Sequence, residues 1–170
     1  MSTKELPSPE LLRQLLRYDP DTGKLYWKER TSNRIKIGEE ASTVNAYGYV
    51  VIGVLKHRLP AHRIAWAIYY NEWPTQEVDH INGDRSDNSI KNLRNVSSVQ
   101  NKQNTKIYST NTSGAHGVAY NKQNKNWRVR ITVNKQIIEI GSFRNLDDAI
   151  AARKEAEAKY GFHPNHGRRQ

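Results

Sequence analysis

The chain has 170 residues, 36% of them hydrophobic, no cysteine and a formal net charge of +10, with a pI near 9.8. That length suits one or two small domains with modest cores, and the missing cysteines remove disulfides and every Cys-based zinc site. The charge calls for a polyanionic partner, yet no apolar stretch approaches the ~20 residues of a membrane span and no basic amphipathic helix stands out. The first 30 residues hold no apolar signal core, so a cytoplasmic protein is expected. Charge is uneven: +3 over residues 1–60, +1 over 61–107 and +6 over 108–170.

Ser8-Pro9-Glu10 followed by Leu11, Leu12, Leu15 and Leu16 predicts a capped amphipathic helix with proline in its first turn. Tyr18 to Gly23 is turn chemistry, and Lys24 to Lys28 reads as a strand. Residues 29–46 are polar and without period, a solvated loop carrying Arg30, Arg34 and Lys36. Tyr47 to Leu55 is a strand by its Tyr, Val and Ile content, with a bend expected at Gly53. Ala61 to Tyr70 reads as a helix with Ile64, Ala65, Ile68 and Tyr69 on one face. His62, on that helix, reads as a packing or supporting residue rather than a metal ligand.

Val78 to Asn104 is too densely polar for a core element. It holds the pair Asp79-His80 and asparagines at 82, 88, 92, 95, 101 and 104, with 12 residues from His80 to Asn92 and 9 from Asn92 to Asn101. Val78 and Ile81 bracket a short strand, and Gly83-Asp84 and Asp87-Asn88 read as turns. After Leu93 and Val96, Ser97 is placed to cap a short helix, with Gln100 completing a capping box. This string resembles the HNH nuclease motif. With His62-Arg63-Ile64-Ala65-Trp66, Trp73-Pro74 and Asp79-His80-Ile81-Asn82-Gly83, it is similar to the subgroup found in phage and intron homing endonucleases. The resemblance implies a ββα-metal fold in which His80 is the general base, Asp79 binds the metal, Asn92 braces the loop and Asn101 binds the metal from the helix. Asn101 stands where the family's name implies a histidine, a replacement known in this subgroup.

The chemistry of these side chains suits phosphodiester hydrolysis. A histidine with a pKa near ~6.5 is largely neutral at pH 7 and able to accept a proton from water. Asp79 and Asn101 offer only oxygens, which favours a hard cation, Mg²⁺ or Mn²⁺, and leaves room for waters and phosphate oxygens. Asn92 is suited to bond backbone groups on both sides of a loop.

Ile107 to Ala115 is a Ser/Thr/Asn/Gly run that reads as a linker. Beyond it, His116 to Tyr120 is a short strand and Asn121 to Asn126 a basic turn. Trp127 to Val133 alternates strictly, Asn134-Lys135 is a hairpin turn, and Gln136 to Phe143 returns. Asn145 caps a helix from Leu146 to Tyr160, whose apolar residues cover the Trp127/Val129/Ile131/Val133 face. Arg128, Arg130 and Thr132 then face outward, and a β element of this kind fits a major groove. Gly117-Val118, Trp127 to Ile131, Gly141-Ser142-Phe143 and the Ala-rich helix resemble the DNA-binding domain of plant ethylene-response factors. That resemblance implicates Arg128 and Arg130 in DNA contact, joined by Lys122 and Lys125 of the basic turn. The tail from His163, with Arg168 and Arg169, reads as disordered.

The expectation is therefore an α+β protein: an HNH module over residues 1–106, a linker over 107–115, a three-stranded antiparallel sheet packed on one helix over 116–165, and a basic tail over 166–170. Its expected activity is metal-dependent cleavage of double-stranded DNA by a monomer, one strand per encounter, in a phage-infected bacterial host. A DNA-binding regulator with an inactive nuclease module is the rival.

Overall fold

In the computed structural model, residues 5–98, 101, 107, 110–164 and 166–167 are described. The chain divides into two compact units, residues 1–98 and 99–170, each mixing helices with small antiparallel sheets. The division thus falls ahead of the Ile107–Ala115 run.

The first unit begins with α1 (Pro9–Leu15), where the Ser8 hydroxyl accepts a hydrogen bond from Leu11 N at 3.2 Å. Leu16 does not extend this helix as its spacing suggested. It turns to φ −131° and opens β1 (Leu16–Tyr18), paired with β2 (Leu25–Trp27) in the register Leu16↔Trp27. Strand pairing keeps Leu16 1% exposed, so burial overrides helical propensity there. Thr43–Val44 (β3), Val50–Val54 (β4) and His57–Pro60 (β5) form a second sheet, order β3-β4-β5. Gly53 causes no bend: it pairs with Arg58 in an unbroken register.

The helix α2 (Ala61–Tyr70) has the predicted bounds and ends at Asn71, whose φ of 63° is left-handed. Its carbonyl end is held by Arg13 of α1, which donates to Ile68 O from Nε at 3.0 Å and from Nη2 at 2.6 Å. A cation at a helix C-terminus also offsets the dipole. Leu12, Leu16, Ile52, Val54 and Ile64 are the fully enclosed centre of this core, each burial worth about 1.5–3 kcal/mol. Tyr69 is half exposed and lies off that face. A two-stranded ribbon, β6 (Glu77–His80) and β7 (Leu93–Val96), follows, joined through a single turn of 3₁₀ helix at Ile90–Asn92. Ser98 and Asn101 are helical; Gln100 and Asn104 lie outside the described residues.

In the second unit, β8 (Val118–Asn121), β9 (Asn126–Val133) and β10 (Gln136–Phe143) form an antiparallel sheet of order β10-β9-β8. Asn134 and Lys135, at φ 48° and 66°, make the β9–β10 turn, the double left-handed geometry of a tight hairpin. The helix α3 (Leu146–Lys159) is capped by Asn145, whose side chain accepts from Asp147 N at 2.9 Å. Val118, Val129 and Ala149 form the buried centre. Arg153 reaches inward from α3 and is 4% exposed. It donates to Arg130 O from Nη1 and to Glu157 Oε1 from Nε at 2.8 Å. Gly117 makes room for this: a Cβ there would stand 2.1 Å from Arg130 O.

One expectation for the linker and one for the tail change. Ser113 is buried and donates to Val118 O at 2.7 Å, so residues 111–115 are folded into the second unit. His166 N donates to His163 O at 2.8 Å and its ring meets Phe162 edge-on at 5.0 Å between centroids, so this part of the tail is packed rather than disordered. Arg168 and Arg169 lie outside the described residues.

Candidate active site

The β6–β7 ribbon fixes the position of Asp79 and His80. Successive strand residues face opposite sides, so Val78 and His80 turn inward while Asp79 lies on the other side beside Arg94, its cross-strand partner. Arg94 donates to Asp79 Oδ2 from Nε at 3.0 Å and from Nη2 at 2.8 Å. Side-chain exposures of 25% and 12% make this a largely desolvated pair, stronger than an exposed one.

His80 is 4% exposed. Its Nε2 stands 3.1 Å from Asn88 Oδ1. The His62 ring lies edge-on at 5.0 Å between centroids, and Tyr49 is tilted at 6.1 Å. Burial lowers the His80 pKa, opposed by the Asn88 bond and by the carboxylates of Asp79, Asp87 and Asp84. His62 is pushed down to about 3, by burial first and then by His80 and Arg63. Both imidazoles are therefore neutral at neutral pH, and His80 is in the form that accepts a proton. Among the described residues His62 Nδ1 finds no hydrogen-bond partner, which fits a packing role.

The loop between the strands is braced by its own side chains. Asn92, 6% exposed, accepts from Asn82 N at 2.9 Å and donates to Asp87 O at 2.7 Å, so one amide ties the two sides of the loop. Asp87 Oδ1 takes the Ser89 hydroxyl at 2.6 Å and Ser89 N at 3.1 Å, and Asp87 Oδ2 takes Asn82 Nδ2 at 2.9 Å. Asp84 Oδ1 holds Ser86 in the same manner. These local bonds satisfy a backbone that regular structure does not. Arg85 leaves the loop to donate to Tyr47 O at 2.7 Å and lies 4.8 Å from the centroid of the Tyr49 ring.

Residues 59–103 match the family model of an HNH endonuclease. The match begins in β5, takes in α2 and the ribbon, and ends just past Asn101. It gives this stretch a nuclease domain, for which DNA is the implied substrate. No curated protein and no solved structure matches the chain. No helix among the described residues is long and apolar enough to cross a membrane.

HNH nucleases generally depend on a divalent cation. Among the described residues no three His, Cys, Asp or Glu side chains gather to hold a metal ion. The oxygen donor at hand is Asp79, whose Oδ2 already receives Arg94. A sparse, oxygen-only donor set fits a magnesium-like ion that keeps most of its ligands as water and phosphate oxygens. Asn101 is a half-buried helical residue at the start of the second unit.

In the second unit, Arg128, Arg130 and Thr132 are exposed on the open face of β9, while Val129 and Ile131 are buried. Arg128 donates to Glu139 Oε1 at 2.5 Å and Oε2 at 2.9 Å across the sheet. Trp127 packs with the core and against Tyr120, with 5.0 Å between ring centroids. Lys122 and Lys125 are exposed in the β8–β9 turn. Sequence reasoning missed Asn88, Arg94 and Arg85. Asn88 read only as a turn residue, and the partnership of Arg94 is visible only once β7 is known to pair with β6.

Proposed function

We propose that this protein is a metal-dependent DNA endonuclease of the homing type that nicks one strand per encounter. The observation that carries the reading is a buried His80, its pKa lowered by burial, on the ribbon of a stretch that matches an HNH family model, with a braced loop behind it.

In this reading His80 removes a proton from a water molecule that attacks phosphorus in line. Asn92 keeps the loop closed so that the imidazole does not swing. On the positions of the motif, Asp79 and Asn101 are assigned as the cation's protein ligands. The cation, Mg²⁺ or Mn²⁺, supplies charge neutralisation at the phosphate and at the departing oxygen. Arg94, bonded to Asp79 Oδ2, orients that carboxylate as a supporting partner. Arg128, Arg130, Lys122 and Lys125 hold duplex DNA through the exposed face and turn of the second unit, and the net +6 of residues 108–170 supports that assignment. With a single such motif in the sequence, nicking by a monomer is the default.

Incubation with supercoiled plasmid in Mg²⁺ or Mn²⁺, beside EDTA, tests this reading. It predicts open circles that need the metal. Tight binding to duplex DNA without a cut under any divalent ion would leave a DNA-binding regulator instead.

A further inference from the structure

We propose that the second unit holds one unpaired nucleotide in a cavity of about 810 Å³ beside the open edge of β9, its base read by the Thr132 main chain. The site belongs to this unit alone and stands whether or not the first unit cuts DNA.

Strand pairing creates the open edge. Val133 and Gln136 close the two-residue Asn134-Lys135 turn, so this pair is hydrogen-bonded, and Ile131 and Val133 bond toward β10. Alternation turns Arg130 and Thr132 the other way, and Arg130 N donates to Gly117 O at 2.8 Å on that side. β8 begins only at Val118, which pairs with Val129. Among the described residues nothing pairs with Thr132 beyond it, so the Thr132 N–H and C=O stand side by side on the edge. They border the cavity, which His116, Gly117, Lys135 and Phe162 also line.

The walls suit a nucleotide. The His116 and His166 rings lie 4.8 Å apart between centroids, and Phe162 meets His166 edge-on at 5.0 Å. Lys135 and Arg130 bring positive charge, and none of the described residues lining the cavity is acidic. Rings of this kind stack on a base while cations answer its phosphate. Every nucleobase carries a donor next to an acceptor on its pairing edge, the complement of the Thr132 N–H and C=O. That edge is occupied in a duplex and free in an unpaired nucleotide. The volume falls within the about 300–1,000 Å³ of small-ligand sites. An extended acidic peptide would match the charge, but strand addition needs a run of open bonds. Arg153 Nη1 already fills the next acceptor, Arg130 O.

The test is ¹H–¹⁵N spectroscopy on the whole chain carrying ¹⁵N-labelled threonine, with Thr132 assigned by its loss in Thr132→Ser. Titration with dAMP should shift the Thr132 amide to saturation, at an affinity ~10-fold above that of deoxyribose 5-phosphate. A duplex with one unpaired adenosine that displaces dAMP, where the fully paired duplex does not, makes nucleic acid the source. Binding of dAMP without such displacement makes the source the free nucleotide. Thr132→Pro, which removes the edge N–H, should weaken dAMP ~10-fold. Lys135→Gln, at an exposed turn position that places little demand on folding, should weaken it ~3-fold. An unmoved Thr132 amide, or deoxyribose 5-phosphate binding as tightly as dAMP, overturns the proposal and needs no variant. So does an Asp/Glu-rich peptide that shifts this amide where dAMP does not.

Discussion

The loop between β6 and β7 and the open face of β9 are both polar, yet they are built in opposite ways. In the first, His80, Asn88, Ser89 and Asn92 are each at most 6% exposed, and their bonds run mostly to backbone. In the second, Arg128 and Arg130 stand in solvent, and Arg128 answers to one flexible partner, Glu139. Buried polar groups tolerate no loss of partners, because a stranded donor or acceptor retains its full desolvation cost. Exposed ion pairs contribute little and exchange partners freely. The first construction suits a site that must be rigid before substrate arrives, the second a surface that adapts to a polyanion.

The sharpest way to break this contrast is Gly23→Ala. The added Cβ meets Ser89 N at 2.3 Å from a left-handed backbone, so the first unit should lose about 2–4 kcal/mol in denaturant unfolding. An unchanged midpoint would mean the Tyr18–Gly23 turn is not pressed against the loop. Asn92→Ala comes next: Asn82 N and Asp87 O each lose a partner, at about 1–3 kcal/mol apiece, read as a lower melting temperature.

Acid provides a third probe. His62 has a folded pKa of about 3 against 6.5 when unfolded. Between those values the unfolded chain binds more protons, so the stabilisation is complete above pH 6.5 and is lost as pH falls toward 3. The slope reaches at most about 1.4 kcal/mol per pH unit. His62→Leu should flatten the dependence of melting temperature on pH, and an equally steep dependence would place its cause elsewhere. The smallest effect on stability belongs to Arg128→Ala, which should leave melting unchanged. In DNA titrations it should weaken binding across sequences and reduce the salt slope by about 1.

Much of the scaffold was legible in the sequence because local chemistry and tertiary packing agree there. Ala61–Tyr70, Gln136–Phe143, the Ser8 and Asn145 caps and the Asn134-Lys135 turn all lie where pattern and capping rules put them. The misses have two causes, a turn built from unusual residues and partners distant in sequence. β5 (His57-Arg58-Leu59-Pro60) has no apolar alternation, and the turn before it uses Leu55 and Lys56 at φ 50° and 63° rather than glycine or asparagine. β7 looks apolar only at Leu93 and Val96, because Arg94 is drawn across the ribbon to Asp79. The motif spacing singles out His80 and Asn92, and Asn92 accepts from Asn82 N and donates to Asp87 O. Nothing local distinguishes Asn88 from the other asparagines around it; its contact with His80 and its support by Tyr18 exist only in the fold.

The most direct measurement compares wild type and His80→Ala on supercoiled plasmid with Mg²⁺ or Mn²⁺, alongside DNA binding and melting of both proteins. The account predicts metal-dependent open circles for wild type and a loss of ~10²–10⁴-fold in the variant, with binding and folding retained. Undiminished cutting by His80→Ala would contradict it.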